Sequence, residues 1–191
     1  MSFGRDLYLI LCIILGSGGL LQEKAHGTAG FTLTLPLSRR HIVFTRALIG
    51  YLGVLAIVLT PVVLLPIGSR YVGQYYPAMQ ALGFGVLWAA CGSVFYGFTF
   101  LLAHLMEGEY SAMLVAMPSL MAYGFLMSAP WLDRFPMLNI FSIVNGEDLP
   151  FFDETQHLLI GPMPWLALAV MLLVTMAFVL SAARRMQPRD F

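Results

Sequence analysis

Four stretches of this chain, residues 47–69, 78–103, 111–132 and 162–183, contain no charged side chain, and each exceeds the roughly 20 residues that a helix needs to cross a bilayer. Hydrocarbon offers no partner to an open backbone amide, so runs of this kind fold as helices that close their own hydrogen bonds. The rest of the composition agrees: 59% of residues are hydrophobic, 10% are charged and the mean hydropathy is +0.82, far outside the range of soluble domains. The expected fold is therefore all-α, a polytopic transmembrane helical bundle forming a single domain over residues 1–191. A fifth apolar run, residues 7–21, amounts to about 22 Å of helix and follows Arg5 and Asp6 directly. It is expected to span as well, with its first turn among lipid headgroups or with those two charges paired. Cleavage as a signal peptide is the competing reading, weakened because a basic leading region and a small-x-small cleavage site are missing.

Ten acids and ten bases cancel, so no global field draws the chain to nucleic acid, and the position of each base matters more than the sum. With five alternating helices, Lys24, Arg39, Arg40, Arg46, Arg184, Arg185 and Arg189 fall on one side and Arg5, Arg70 and Arg134 on the other. Cytoplasmic loops carry the excess of Lys and Arg, which orients the chain with an outside amino terminus and a cytoplasmic carboxyl terminus. An outside start with no leading span is the parity expected of a six-span relative that lacks its first helix. Cys12 and Cys91 both lie inside apolar runs, where a thiol behaves as a small hydrophobe, so neither a disulfide nor a metal site is expected.

Within the spans, Gly85, Ala89, Ser93 and Gly97 recur every four residues and form a small-residue stripe on which another helix can pack closely. Pro61, Pro66 and Pro118 each remove one helix hydrogen bond, so kinks are expected near them. No Asp, Glu, Lys or Arg lies mid-span, which argues against a carrier driven by protons or sodium. The lone lysine, Lys24, sits in E-K-A and excludes a G-x-x-x-x-G-K-[ST] phosphate loop, so the chain does not hydrolyse ATP by that route. His104, Glu107 and Glu109 occur in HLMEGE, not in H-E-x-x-H, and read as solvated loop charges. Ser17 and Ser93 lack a G-x-S-x-G setting, and no catalytic residue is assigned. The loop at 133–161 sets Glu147, Asp148, Asp153 and Glu154 against Arg134. Its apolar pieces LNIFSIV and LPFF are expected to form short helices dipping into the headgroups, as a re-entrant-like lid.

One polar island, EKAHGTAGFTLTLPLSRRHIVFTR at residues 23–46, interrupts the apolar chain and holds four of the ten bases against one acid. Pro36 disfavours helix at Leu35, and Ser38 is a good cap for a helix starting after it, which gives a bent elbow across residues 22–46. Phe31 and Leu35 are i, i+4 neighbours and form an apolar ridge, with Arg39, Arg40 and His41 just past the bend. From composition alone this is an amphipathic segment lying on the membrane, its arginines on lipid phosphates.

The run of Glu23-Lys24, Gly27-Thr28, Leu35-Pro36 and Ser38-Arg39, with Arg46 at the start of a span, resembles ABC-2-type transporter permeases, and a likeness of shape continues to the carboxyl terminus. That resemblance implies a coupling helix that docks on a separate ATP-binding cassette subunit through Glu23, Gly27, Thr28, Leu35, Pro36, Ser38 and Arg39. Phe31 would wedge beside Leu35 into a groove of that ATPase, and Arg39 or Arg40 would pair with its acidic groups. ATP and Mg would be bound by the partner, no cofactor by this chain, and a second permease copy or paralogue would complete a dimer in a bacterial-type inner membrane. Two other classes stay open: a non-transporting membrane scaffold or assembly factor, and an intramembrane enzyme using His104 with Glu107.

Overall fold

The computed structural model describes residues 2–18, 39–73, 75–106, 110–130, 139–145, 152–153, 158–159 and 163–185. They form a helical bundle in the order α1 (Ser2–Ser17), α2 (Arg39–Tyr71), α3 (Ala78–Leu105), α4 (Ser111–Met127), α5 (Ile140–Asn145), β1 (Phe152–Asp153), β2 (Leu158–Leu159) and α6 (Trp165–Arg185). Three of these helices are long and apolar enough to cross a membrane: His41–Tyr71, Ala78–Leu105 and Trp165–Arg185. α1 and α4 are apolar but shorter, at 16 and 17 residues.

α3 is the hub. In its most apolar stretch 61% of the residues are buried within the protein, against 11% for α2, whose outer face is bare leucine, isoleucine and valine. Lipid tails are as apolar as leucine, so close packing and hydrogen bonds across helices, more than hydrophobic burial, hold such a bundle together. α1 meets α3 through Gly92 and Gly16. A Cβ on Gly92 would run into the Tyr8 hydroxyl, and one on Gly16 would come 2.6 Å from the Tyr96 carbonyl. The approach lets Tyr8 Oη donate to the Trp88 carbonyl at 2.6 Å while the two rings stack at 4.9 Å. α2 meets α3 where Tyr96 Oη donates to the Ala47 carbonyl at 2.9 Å and Gly85 admits Val62. α6 meets α3 where Ser93 and Thr175 share a buried hydroxyl hydrogen bond of 3.0 Å and Gly97 lies against Thr175.

The stripe at Gly85, Ala89, Ser93 and Gly97 thus serves two helices, Gly85 facing α2 while Ser93 and Gly97 face α6. Four residues turn a helix about 400°, so a four-residue repeat drifts about 40° per step and sweeps from one neighbour to the next.

Two elements depart from the sequence expectations. The run at 111–132 is helical only to Met127, where Ser128 closes the last turn on the Gly124 carbonyl. Pro130, two residues on, forces its predecessor out of helical geometry. In the loop, a short helix does form, α5 at Ile140–Asn145, begun by Asn139, whose Oδ1 accepts from the amides of Phe141 and Ser142. Phe152 of LPFF, however, belongs to a strand pair, with Phe152 opposite Leu159 and Asp153 opposite Leu158. The pair is anchored by Gln80, whose side chain both donates to the Leu159 carbonyl and accepts from its amide at 3.1 and 2.9 Å. α2 runs unbroken through Pro61 and Pro66.

Candidate functional site

Contacts along α3 fix the directions of α1, α2 and α6. Tyr8, Cys12 and Gly16 of α1 meet Trp88, Gly92 and Tyr96 in increasing order, so α1 runs parallel to α3. Met171, Thr175 and Phe178 of α6 meet Cys91, Ser93 and Phe98 and give the same sense. α2 is antiparallel, since Ala47 lies by Tyr96 and Val62 by Gly85. One end of the bundle therefore collects the end of α1, the start of α2 and the ends of α3 and α6. The other end collects Arg5 and Asp6 of α1, the end of α2, α5, the strand pair and the start of α6.

Charge divides the same way. Among the described residues, Arg39, Arg40, Arg46, Arg184 and Arg185 lie at the first end and Arg5 and Arg70 at the second. Gly18, before the polar island, and Arg39, within it, are both at the arginine-rich end. Of the residues expected to contact an ATPase, Arg39 and Arg40 are the first two of α2. Glu23, Gly27, Thr28, Phe31, Leu35, Pro36 and Ser38 lie outside the described residues, and so does the elbow they were read to form.

His104, expected as a solvated loop charge, instead lies in the last turn of α3 at this end. Its Nδ1 bonds the Phe100 carbonyl at 2.8 Å, and because a carbonyl only accepts, that nitrogen carries the proton and Nε2 holds the lone pair. Nε2 is buried with no hydrogen-bond partner among the described residues, and the ring stacks on Phe100 at 4.5 Å, within electrostatic reach of Arg46. Glu107, its proposed catalytic companion, lies outside the described residues. No group of three His, Cys, Asp or Glu residues suited to a metal occurs among those described.

The opposite end is tied down by polar contacts, of which the sequence pointed only to the pairing of Arg5 with Asp6. Arg5 Nε donates to Asp6 Oδ1 at 2.8 Å, and its guanidinium stands 5.0 Å over the Phe141 ring. Tyr123 Oη accepts from the Ile140 amide at 2.9 Å, and Trp88 Nε1 donates to the Val144 carbonyl at 2.9 Å. The available signal was Asn139, a strong helix-capping residue directly before an apolar run. No family model matches the chain, and no curated protein or solved structure matches it either.

Proposed function

We propose that the chain is the permease subunit of an ATP-driven exporter, a membrane protein whose polar island couples it to a separate ATP-binding cassette ATPase. The observation that carries this reading is that Arg184 and Arg185, at the end of α6, gather at the same end of the bundle as the island's own Arg39, Arg40 and Arg46. Arginine-rich ends face the cytoplasm, where an ATPase is available to dock. The resemblance of Gly27-Thr28, Leu35-Pro36 and Ser38-Arg39 to ABC-2 permeases supplies the partner. On this reading α1 and α4 are spans too, giving five, with α5 and the strand pair as the outer re-entrant segment. A second copy or a paralogue completes the pathway in an inner membrane, and the carboxyl terminus is cytoplasmic.

The chain itself contributes shape and force transmission; hydrolysis belongs to the partner. Because α2 starts at Arg39 and continues to Tyr71 without a break, a push on its first turn is carried the full length of the helix, about 50 Å at 1.5 Å per residue. Replacing Phe31 and Leu35 together by Asp tests the docking. The tagged wild-type chain should co-purify from membranes with a protein carrying a phosphate-binding loop, and the double variant should lose that protein while keeping a monodisperse elution profile. Retention of the ATPase by the double variant removes the docking role of these two residues. Absence of any such ATPase from the wild-type sample favours the scaffold reading.

A further inference from the structure

We propose that the groove between α1, α4 and α5, at the Arg5 end of the bundle, binds a glycerophospholipid with a zwitterionic headgroup, phosphatidylethanolamine being the simplest choice. The cavity measures about 540 Å³, inside the roughly 300–1,000 Å³ span of small-molecule sites. Its polar groups are gathered at one end: Arg5 and Asp6 from α1, Ser128 just past α4, Asn139 just before α5 and Ser142 within it. Its apolar wall follows one face of α4 through Met117, Leu120, Met121, Gly124 and Met127. From Ser128 down to Met117 that face is about 16 Å long. A slot with a charged mouth and a long apolar floor selects an amphiphile over a soluble metabolite.

The headgroup chemistry follows from how Arg5 is held. Only Nε is engaged by Asp6, and Phe141 supports the guanidinium from below, so the two terminal nitrogens can grip a phosphate as a planar fork. Asp6 uses one carboxylate oxygen, and its side chain is 52% exposed, leaving the second oxygen for an ammonium. Positive and negative groups therefore stand side by side, matching a phosphate and an amine joined by a short linker. Asn139 spends its oxygen on the α5 amides and retains its NH₂ as a further donor to phosphate. Thioethers along the floor adapt to a flexible alkyl chain, and Gly124 lets Phe141 lie close against α4, since a Cβ there would stand 3.3 Å from that ring.

This site does not rest on the transporter reading. The test uses the whole chain in nanodiscs doped with tracer lipids carrying a diazirine in the acyl chain, followed by mapping of labelled peptides. Phosphatidylethanolamine should label the Met117 to Met127 stretch about tenfold more than the matching diacylglycerol does, the factor that one charge-assisted hydrogen bond supplies. Phosphatidylglycerol, which has the phosphate but no amine, should label less than phosphatidylethanolamine. Arg5→Gln should reduce labelling to the diacylglycerol level, as should Met121→Trp, which fills the slot from a side chain that is 70% exposed and so carries little of the fold. Arg70→Gln, outside the groove, should change nothing. Equal labelling by phosphatidylethanolamine and diacylglycerol overturns the site. Equal labelling by phosphatidylglycerol overturns the zwitterionic headgroup, and labelling that survives both groove variants overturns the location.

Discussion

At the scale of single residues, the closest approaches in the bundle depend on missing side chains and shared hydroxyls. Gly92 lets the Tyr8 hydroxyl sit against the α3 backbone, so Gly92→Val should displace α1 and break the Tyr8 to Trp88 hydrogen bond. Overpacking of this kind costs typically about 1–3 kcal/mol. The measurable result is a lowered unfolding midpoint in detergent, with reactivity appearing at Cys12, which is fully buried in the wild type. Thr175→Val removes the Ser93 partner while keeping the shape, and hydrogen bonds between membrane helices contribute about 0.6–2 kcal/mol. The expected effect is a smaller drop in the same midpoint. The reactivity of Cys12 should not change, because α1 is not touched. The small-residue stripe was legible in the sequence, but its division between α2 and α6 was not. A repeat of four reads as a straight line along the chain and becomes a slow spiral only once the 3.6-residue turn acts on it.

At the scale of elements, legibility followed the range of the interactions. The start of α2 at Arg39 is where local chemistry, Pro36 and then Ser38, puts a helix start. The end of α4 was equally local, written in Pro130, but the length of the apolar run concealed it. The strand pair was out of reach, because what anchors β2 is the Gln80 side chain, 79 positions away along the chain. Gln80→Ala should free β2 from α3 and leave the helices intact. Hydrogen exchange should then accelerate at Leu159 and stay unchanged along α3 and α6. Trp88→Phe should act in parallel on α5, by removing the hydrogen bond to the Val144 carbonyl, and exchange at residues 140–145 should rise. If neither substitution alters exchange, α5 and the strand pair are held by apolar contacts alone.

At the scale of the whole molecule, the account rests on two opposed ends. Composition and the spacing of charged residues announced a helical membrane protein, and the directions of α1, α2 and α6 relative to α3 are consistent with the alternation that the arginines imply. Of the residues proposed to contact an ATPase, Arg39 and Arg40 open α2, and the island's function is argued from where it joins the bundle and from what it resembles. Sidedness can be measured with single cysteines, because both native thiols are fully buried. His41→Cys should react with an impermeant maleimide only from the cytoplasmic face, and Tyr71→Cys only from the outer face. Labelling of both from one face would contradict the orientation of α2. The most direct test of the coupling claim is a photocrosslink from the island itself. Benzoylphenylalanine in place of Phe31, irradiated in native membranes, should yield one adduct with an ATPase that carries a phosphate-binding loop, and ATP should change its yield. Crosslinks to lipid alone would contradict the account and return the island to a segment lying on the membrane surface.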